Sequence, residues 1–350
     1  MILILASLVL ILSFYLLNEV TDKYFIPSLD KISHRLKMSD DAAGATFMAA
    51  GSSAPELFIA IIALIYGGEN SDIGLGTIVG SALFNLLGIV GAVALVANSK
   101  LAWKPLLRDL TFYALSIAFL YWSLLSGSIS WYNGIFFLLF YAVYVIVVIK
   151  WKNFFPESKA QIETTEEDEE ESIPHWKKLL RPFDYLLEKS FPHQNLYITH
   201  FLLSVFFIAL LSWALVESAI VISETLNVPK YIIALTILAF GTSVPDMMSS
   251  IIVAKQNRGG MAVSNAIGSN VFDILIGLGL PWLITIIVTG SNVFVNTSDI
   301  SKHVAFLLLS VVFVLILIMI NKWKLNRTLG FIILAAYLTY LSYTIYLGTV

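Results

Sequence analysis

The sequence predicts an all-α integral membrane protein of ten transmembrane helices, arranged as two inverted-topology repeats of five, with the second and seventh helices discontinuous. Three observations predict it. The 350 residues are 58% hydrophobic and only 13% charged, with a mean hydropathy of +0.84, whereas soluble domains carry roughly 25% charged residues. Lys and Arg gather on alternate connections between the apolar stretches. A polar, proline-containing motif also occurs twice, 190 residues apart.

A membrane-crossing helix needs about 20 mostly apolar residues. On that basis the spans fall at 2–20, 41–66, 73–97, 108–125, 131–149, 197–226, 230–254, 261–289, 303–320 and 329–348. The opening MILILASLVLILSFYLL resembles the apolar stretch of a secretion signal. No Lys or Arg precedes it and no clean small-residue cleavage site follows, so it reads as the first span. With the N-terminus outside, the inner connections are 21–40, 98–108, 150–196, 255–260 and 321–328. They hold 19 of the 21 Lys and Arg residues, leaving only Lys230 and Lys302 outside. This bias orients the chain with both termini outside. The expected membrane is the plasma membrane, and the expected partners are the lipid bilayer and small ions, with no nucleic acid.

The hydrophilic stretch 150–196 separates a first repeat, 1–149, from a second, 197–350. It contains ETTEEDEEE at 163–171, with seven acidic residues in nine, and reads as a solvated cytoplasmic linker. It lacks the spaced ligands and glycine of an EF-hand loop and is too short for a folded regulatory domain. The chain has no cysteine, which excludes disulfides and thiolate metal sites.

The repeat carries the chemistry. ATFMAAGSSAPELFIAII at 45–62 aligns with LTILAFGTSVPDMMSSII at 235–252, pairing Thr46 with Thr236, Gly51 with Gly241, Ser53 with Ser243, Pro55 with Pro245 and Glu56 with Asp246. About one span later, GSALFN at 80–85 aligns with GSNVFD at 268–273. This pairs Ser81 with Ser269 and Asn85 with Asp273. Five spans separate equivalent positions, and five is odd, so the two copies cross the membrane in opposite directions. Inverted repeats of this kind mark secondary transporters with a site near the midplane on interrupted helices.

Pro55 and Pro245 lack the N–H that would bond the carbonyls of Gly51 and Gly241, so each motif is expected to unwind locally. Freed carbonyls at membrane depth are tolerated where protein, water or an ion satisfies them. A carboxylate at the bilayer centre costs at least ~2.5–3.5 kcal/mol on insertion scales, which marks Glu56 and Asp246 as functional. Carbonyl, hydroxyl and carboxylate oxygens without Cys or His describe a site for a hard cation. Two carboxylates suit calcium, with its six to eight flexible oxygen ligands, better than magnesium. Ser53, Ser81, Ser243 and Ser269 add oxygens suited to a monovalent ion such as sodium. A lone membrane serine usually bonds back to its own helix, but four at symmetric positions point to ligands.

The two motif pairs resemble the two alpha repeats of the calcium/cation antiporter superfamily, and within it most closely the potassium-dependent sodium/calcium exchangers. The motif resemblance covers about 43–97 and 233–283, in order and with matched spacing. It implies that the protein is a transporter and not an enzyme, has no cofactor, and exchanges sodium, with potassium co-transport, for calcium. It implies that Glu56 and Asp246 are the principal calcium carboxylates, joined by the backbone carbonyls of Ser52 and Thr242. Sodium would share the region through Ser53, Ser81, Ser243, Ser269 and the carbonyls of Ala49 and Ala239. Asn85 and Asp273 would close the site. An Asp at position 273 accompanies potassium dependence in the family, although it could instead be protonated and hydrogen-bonded to Asn85. The first and sixth spans, carrying Glu19 and Glu217, are implied to slide as a gate over the other eight.

Three rival readings make different predictions. A proton/calcium antiporter of the same fold would work without sodium. An intramembrane aspartyl protease would use Asp246 and Asp273 as a proton-sharing dyad, but the Gly–x–Gly–Asp motif is missing and the first repeat carries Glu. A channel would conduct a single ion with no counter-ion.

Overall fold

The computed structural model describes residues 1–38, 44–97, 99–154, 177–191, 196–255, 259–295 and 297–349. The described chain is helical apart from one two-stranded ribbon. In order, the helices are α1 (Ile2–Val20), α2 (Ile26–Arg35), α3 (Ala49–Ser52), α4 (Ala54–Tyr66), α5 (Ser71–Leu83), α6 (Val90–Val96), α7 (Trp103–Leu125) and α8 (Trp131–Phe154). Then follow α9 (Lys177–Ser190), α10 (Tyr197–Leu226), α11 (Lys230–Ile233), α12 (Ala239–Lys255), α13 (Gly259–Leu275), α14 (Gly279–Thr289), α15 (Thr297–Ile320) and α16 (Arg327–Thr349). Strands β1 (Ser128–Ile129) and β2 (Val293–Phe294) pair antiparallel and tie the α7–α8 connection to the α14–α15 connection. Among the described residues, eight helical stretches are long and apolar enough to cross a membrane. The count is nine if the bent pair on either side of Ser53 is one span. The 23-residue α7 begins with Lys104, Arg108 and Asp109 in its first two turns, and lies outside that count.

The buried side chains form two cores. The larger runs through α5–α8 and α13–α16. The smaller joins the inner faces of α1 and α10 to Ala54, Ile59 and Ala63 of α4 and to the Ile233–Leu238 stretch. Helices α1 and α10 thus pack chiefly on each other and lie against the rest through this separate core.

At the centre stands α5, every residue of which is buried. Its glycines explain how it fits there. A Cβ on Gly74 would stand 2.7 Å from Ala60 Cα, and one on Gly80 would stand 2.5 Å from Leu235 O and 2.6 Å from Ala239 Cβ. Only glycine lets α5 approach both neighbours so closely, and this approach brings the two motifs together.

Several expectations need correction. The second span is interrupted as expected: Ser53 leaves the helix at φ −95°, ψ 8°, and the segments 46–52 and 54–66 meet at 65°. The seventh is not. Helix α12 runs unbroken through Pro245. The proline leaves the Gly241 carbonyl one turn back without its helical amide, yet the helix continues past it; the Thr242 hydroxyl donates to the carbonyls of Leu238 and Ala239 at 3.1 and 3.4 Å. The first span does not end at residue 20. A π turn at Thr21–Phe25 joins α1 to α2, giving one helical rod over Ile2–Arg35. The wider turn lies immediately before Pro27, whose missing N–H withdraws a hydrogen bond from the preceding turn of the rod. The eighth span is interrupted between α13 and α14. Within the linker, residues 177–190 form the amphipathic helix α9, where a featureless connection was expected. It docks on the first rod through Tyr15, whose hydroxyl donates to Asp184 at 2.7 Å, and through the stacked rings of Tyr24 and Phe191, 3.7 Å apart. The acidic run 163–171 lies outside the described residues.

The 190-residue offset recurs in the backbone. A π turn at Gly44–Met48 precedes the first motif and another at Ala234–Leu238 precedes the second, at equivalent positions. Such turns concentrate at functional sites.

Candidate cation site

The site forms where α3–α4, α5, α12 and α13 meet. The bend at Ser53 turns α4 so that Glu56, in its first turn, points inward and is 2% exposed. Helix α5 supplies Ser81 and α12 supplies Ser243; both are fully buried. Their hydroxyls lie 2.7 Å apart, and Ser81 Oγ donates toward Glu56 Oε1 at 3.5 Å. Thr242 stands beside Glu56, and Ser53 beside Asp273 of α13. Motif side chains from one half thus meet motif side chains from the other.

Below this contact is a layer of amides. Asn85 Nδ2 donates to Asn270 Oδ1 at 2.9 Å, and Asn270 Nδ2 donates to the Ala82 carbonyl at 3.1 Å. Tyr113, also fully buried, donates to the same carbonyl at 3.1 Å. Asn270 therefore takes the amide of Asn85, the partner that had been considered for Asp273. Position 270 in GSNVFD faces Ala82, its own counterpart in GSALFN, and the repeat alignment passed over it as a mismatch. The polar residue at that mismatch was the signal available.

The oxygens left over carry the chemistry. Glu56 Oε2, Asn85 Oδ1 and Asp273 Oδ1 are buried without a hydrogen-bond partner. Native proteins rarely leave buried polar atoms so, and each such atom needs an explanation. Glu56 beside the Ser81 hydroxyl, Asp273 beside Ser53, and Asn85 one turn along α5's axis from Ser81 thus offer oxygen donors alone to a cation. No three His, Cys, Asp or Glu side chains converge among the described residues, so hydroxyls and amides share the coordination with the carboxylates.

The remaining candidates lie differently. Asp246 is half-buried and lines a cavity of about 210 Å³, together with Ser52, Thr242 and Pro55. Ser52 Oγ turns back to the Ala49 carbonyl at 3.3 Å, and Ser269 Oγ to the Ala266 carbonyl at 3.1 Å. The Ala49 carbonyl also accepts from the Ser53 amide, and the Ala239 carbonyl accepts from Thr242. In this conformation those two carbonyls are engaged within their own segments. Glu19 pairs with Lys23 one turn on, and Glu217 accepts from Tyr66, whose hydroxyl also receives the Trp213 indole N–H at 2.6 Å.

A family model described as sodium/calcium exchanger protein matches residues 6–150 and 196–346. The human protein named sodium/potassium/calcium exchanger 5 is 32% identical, over 95% of this chain and 81% of its own. The mouse sodium/potassium/calcium exchanger 4 is 29% identical, over 95% of this chain and 79% of its own. Among solved structures, the sodium-calcium exchanger NCX_Mj aligns with a TM-score of 0.58 at 24% identity, covering 97% of this chain and 98% of its own. The H+/Ca2+ exchanger CAX aligns with a TM-score of 0.68 at 14% identity, covering 97% of this chain and 80% of its own. At these identities the structural likeness establishes the fold.

Proposed function

Because this multi-pass membrane chain belongs to the sodium/calcium exchanger protein family, we propose that it is an electrogenic secondary antiporter that moves sodium, with potassium, against calcium by alternating access. The observation that carries this reading is the buried contact between the halves: Ser81 against Ser243, with Glu56 Oε2 and Asp273 Oδ1 left without partners. Calcium takes Glu56 and Asp246 with the carbonyls of Ser52 and Thr242. Sodium competes for the same region through Ser53, Ser81, Ser243, Ser269 and the carbonyls of Ala49 and Ala239. The last three join only after the local bonds described above are exchanged for the ion. Asn85 and Asp273 close the site, and Asp273 supports potassium coupling.

The mechanism follows from charge burial. An empty site carrying bare carboxylates is expensive to seal away from water. Bound cations neutralise it and permit the α1–α10 pair to move on its separate core. Either ion permits the crossing and the empty site forbids it, which yields exchange without leak. In this reading the ten spans form two five-helix repeats running in opposite directions, 1–149 and 197–350, joined by a cytoplasmic linker at 150–196. Both termini lie outside the plasma membrane. The direction of flux follows the sodium gradient.

The test is calcium uptake into proteoliposomes preloaded with sodium, with and without external potassium, for the wild type and Asp273→Asn. Uptake that rises with potassium, and loses that response in the variant, supports the proposal. Sodium-driven uptake indifferent to potassium removes the potassium arm. Uptake driven by a proton gradient and blind to sodium overturns the coupling.

A further inference from the structure

The first helical rod, Ile2–Arg35, touches both motif glycines. A Cβ on Gly241 would stand 2.2 Å from Phe14 Cζ, and one on Gly51 would stand 3.0 Å from Ile26 Cγ1. The rod is seated against the second motif at Phe14 and against the first at Ile26, and the turns between these points cross the 210 Å³ cavity. Leu17, Asn18, Thr21 and Asp22 line it there, spaced three and four residues apart on one helix face. Asp246, Ser249 and Asn265 line it opposite. The cavity far exceeds the ~10–15 Å³ that one water needs.

Two features distinguish this face from an ordinary polar helix surface. Thr21 is only 6% exposed, and its hydroxyl has no partner. A helical threonine normally bonds the carbonyl one turn back, and the π turn at Thr21–Phe25 alters that register. Asn18 Oδ1, one turn earlier, is likewise buried and unpartnered. Asp22 lies within Coulombic reach of Asp246 across the cavity. The lining residues therefore bring an amide, a hydroxyl and a carboxylate to the wall in front of one carboxylate of the central site, with the Asn18 and Thr21 oxygens covered there.

We infer that Asn18, Thr21 and Asp22 form an entry subsite that receives a partly hydrated hard cation and passes it to Asp246. The subsite rests on the antiporter reading and extends it: the central oxygens define what is carried, and this face governs capture from one side. Thr21 and Asp22 lie in the 21–40 connection itself, and Asn18, Asp246, Ser249 and Asn265 in the halves of their spans nearest the Lys- and Arg-rich connections, so capture is from that membrane face, the cytoplasmic one in the proposed orientation. A single carboxylate with two neutral oxygens holds calcium weakly, as a transit position requires, and a second carboxylate in a low-dielectric cleft raises the local cation concentration.

The test titrates calcium separately on each face of oppositely oriented sealed membrane vesicles, under sodium-driven exchange. Asp22→Asn and Thr21→Val are expected to raise the half-saturating calcium concentration at the cytoplasmic face, about five- to tenfold for Asp22→Asn. The maximum rate should change much less, and the outer-face value should stay within about twofold. Equal shifts at both faces, or a lower maximum rate at unchanged half-saturation, would overturn the subsite. Equilibrium calcium binding by Glu56→Gln separates this from the parent reading. Weak residual binding should persist in that variant and vanish when Asp22→Asn is added. Residual binding indifferent to Asp22 would contradict the subsite, whereas absence of calcium exchange in the wild type would contradict the antiporter.

Discussion

The two motifs are alike in sequence and unlike in shape. At Ser53 the first breaks and bends by 65°, carrying Glu56 into the interior at 2% exposure. Through Pro245 the second stays helical and leaves Asp246 half-buried on the cavity wall. Both are preceded by π turns at equivalent positions, so the asymmetry arises within the motif and not in the approach to it. Packing accounts for it: Phe14 fills the space over Gly241, whereas Gly51 faces the more loosely placed Ile26. A pair of halves that packed identically would give neither membrane face preferred access. Here one carboxylate is sequestered and the other lines a cavity, as the proposed alternating-access cycle requires of any single state.

The largest expected effect concerns the paired glycines beside the serines. Gly80→Ala would drive a Cβ to 2.5 Å from Leu235 O, whereas Gly268→Ala meets only Tyr144 Oη at 3.6 Å. Overpacking of this kind costs ~1–3 kcal/mol, while alanine gains up to ~1 kcal/mol in a helix that accepts it. Thermal unfolding of the purified protein should show Gly80→Ala strongly destabilised and Gly268→Ala unchanged or more stable. Equal effects would break the asymmetry.

The prolines should separate next. Pro245→Ala restores the amide that the continuous helix lacks, so it should raise thermal stability, with a modest change in rate. Pro55→Ala allows the two segments to fuse across Ser53, withdrawing Glu56 from its position. Exchange should fall about tenfold or more, the scale of misplacing one central group. Paired transport and melting measurements on the two variants would reveal the contrast, and a common outcome would remove it.

Among the serines, Ser81 is expected to matter more than Ser269. The Ser81 hydroxyl faces Ser243 and Glu56, but that of Ser269 is turned to its own helix. Ser81→Ala should raise the half-saturating sodium concentration by about three- to tenfold, the worth of an ordinary hydrogen bond. Ser269→Ala should move it less.

The gentlest probe compares accessibility. A water-soluble carbodiimide with an amine nucleophile should label Asp246 faster than Glu56, as mass spectrometry of the labelled peptides would show. Calcium should slow both. Labelling of Glu56 first would place the open cavity on the wrong carboxylate.

Much of this was legible in the sequence, because the features that carry it are local and chemical. A carboxylate after a proline in an oily stretch is conspicuous whatever surrounds it, and its recurrence after 190 residues announces two half-sites. What could not be read depends on neighbours far along the chain. Whether a proline breaks a helix or merely weakens it turns on who packs against the glycine before it, and Phe14 is over 200 residues from Gly241. Asn270 was hidden because the repeat itself directed attention to matching positions, and its partner Ala82 is a carbonyl with no side-chain signature. Pro27 and the charges around it resembled a loop, because the sequence gives no sign of the π turn that carries the rod onward to Arg35. Helix α9 was obscured by the acidic run preceding it.

In the proposed antiporter, side chains from both halves build one cation site around the buried Glu56. Sodium-gradient-driven calcium uptake by the reconstituted wild type, beside Glu56→Gln of equal thermal stability, tests it most directly. The wild type should take up calcium robustly and the variant about a hundredfold more slowly or worse, the scale of removing one partner of a buried ion pair. Uptake by Glu56→Gln at near wild-type rates would contradict it.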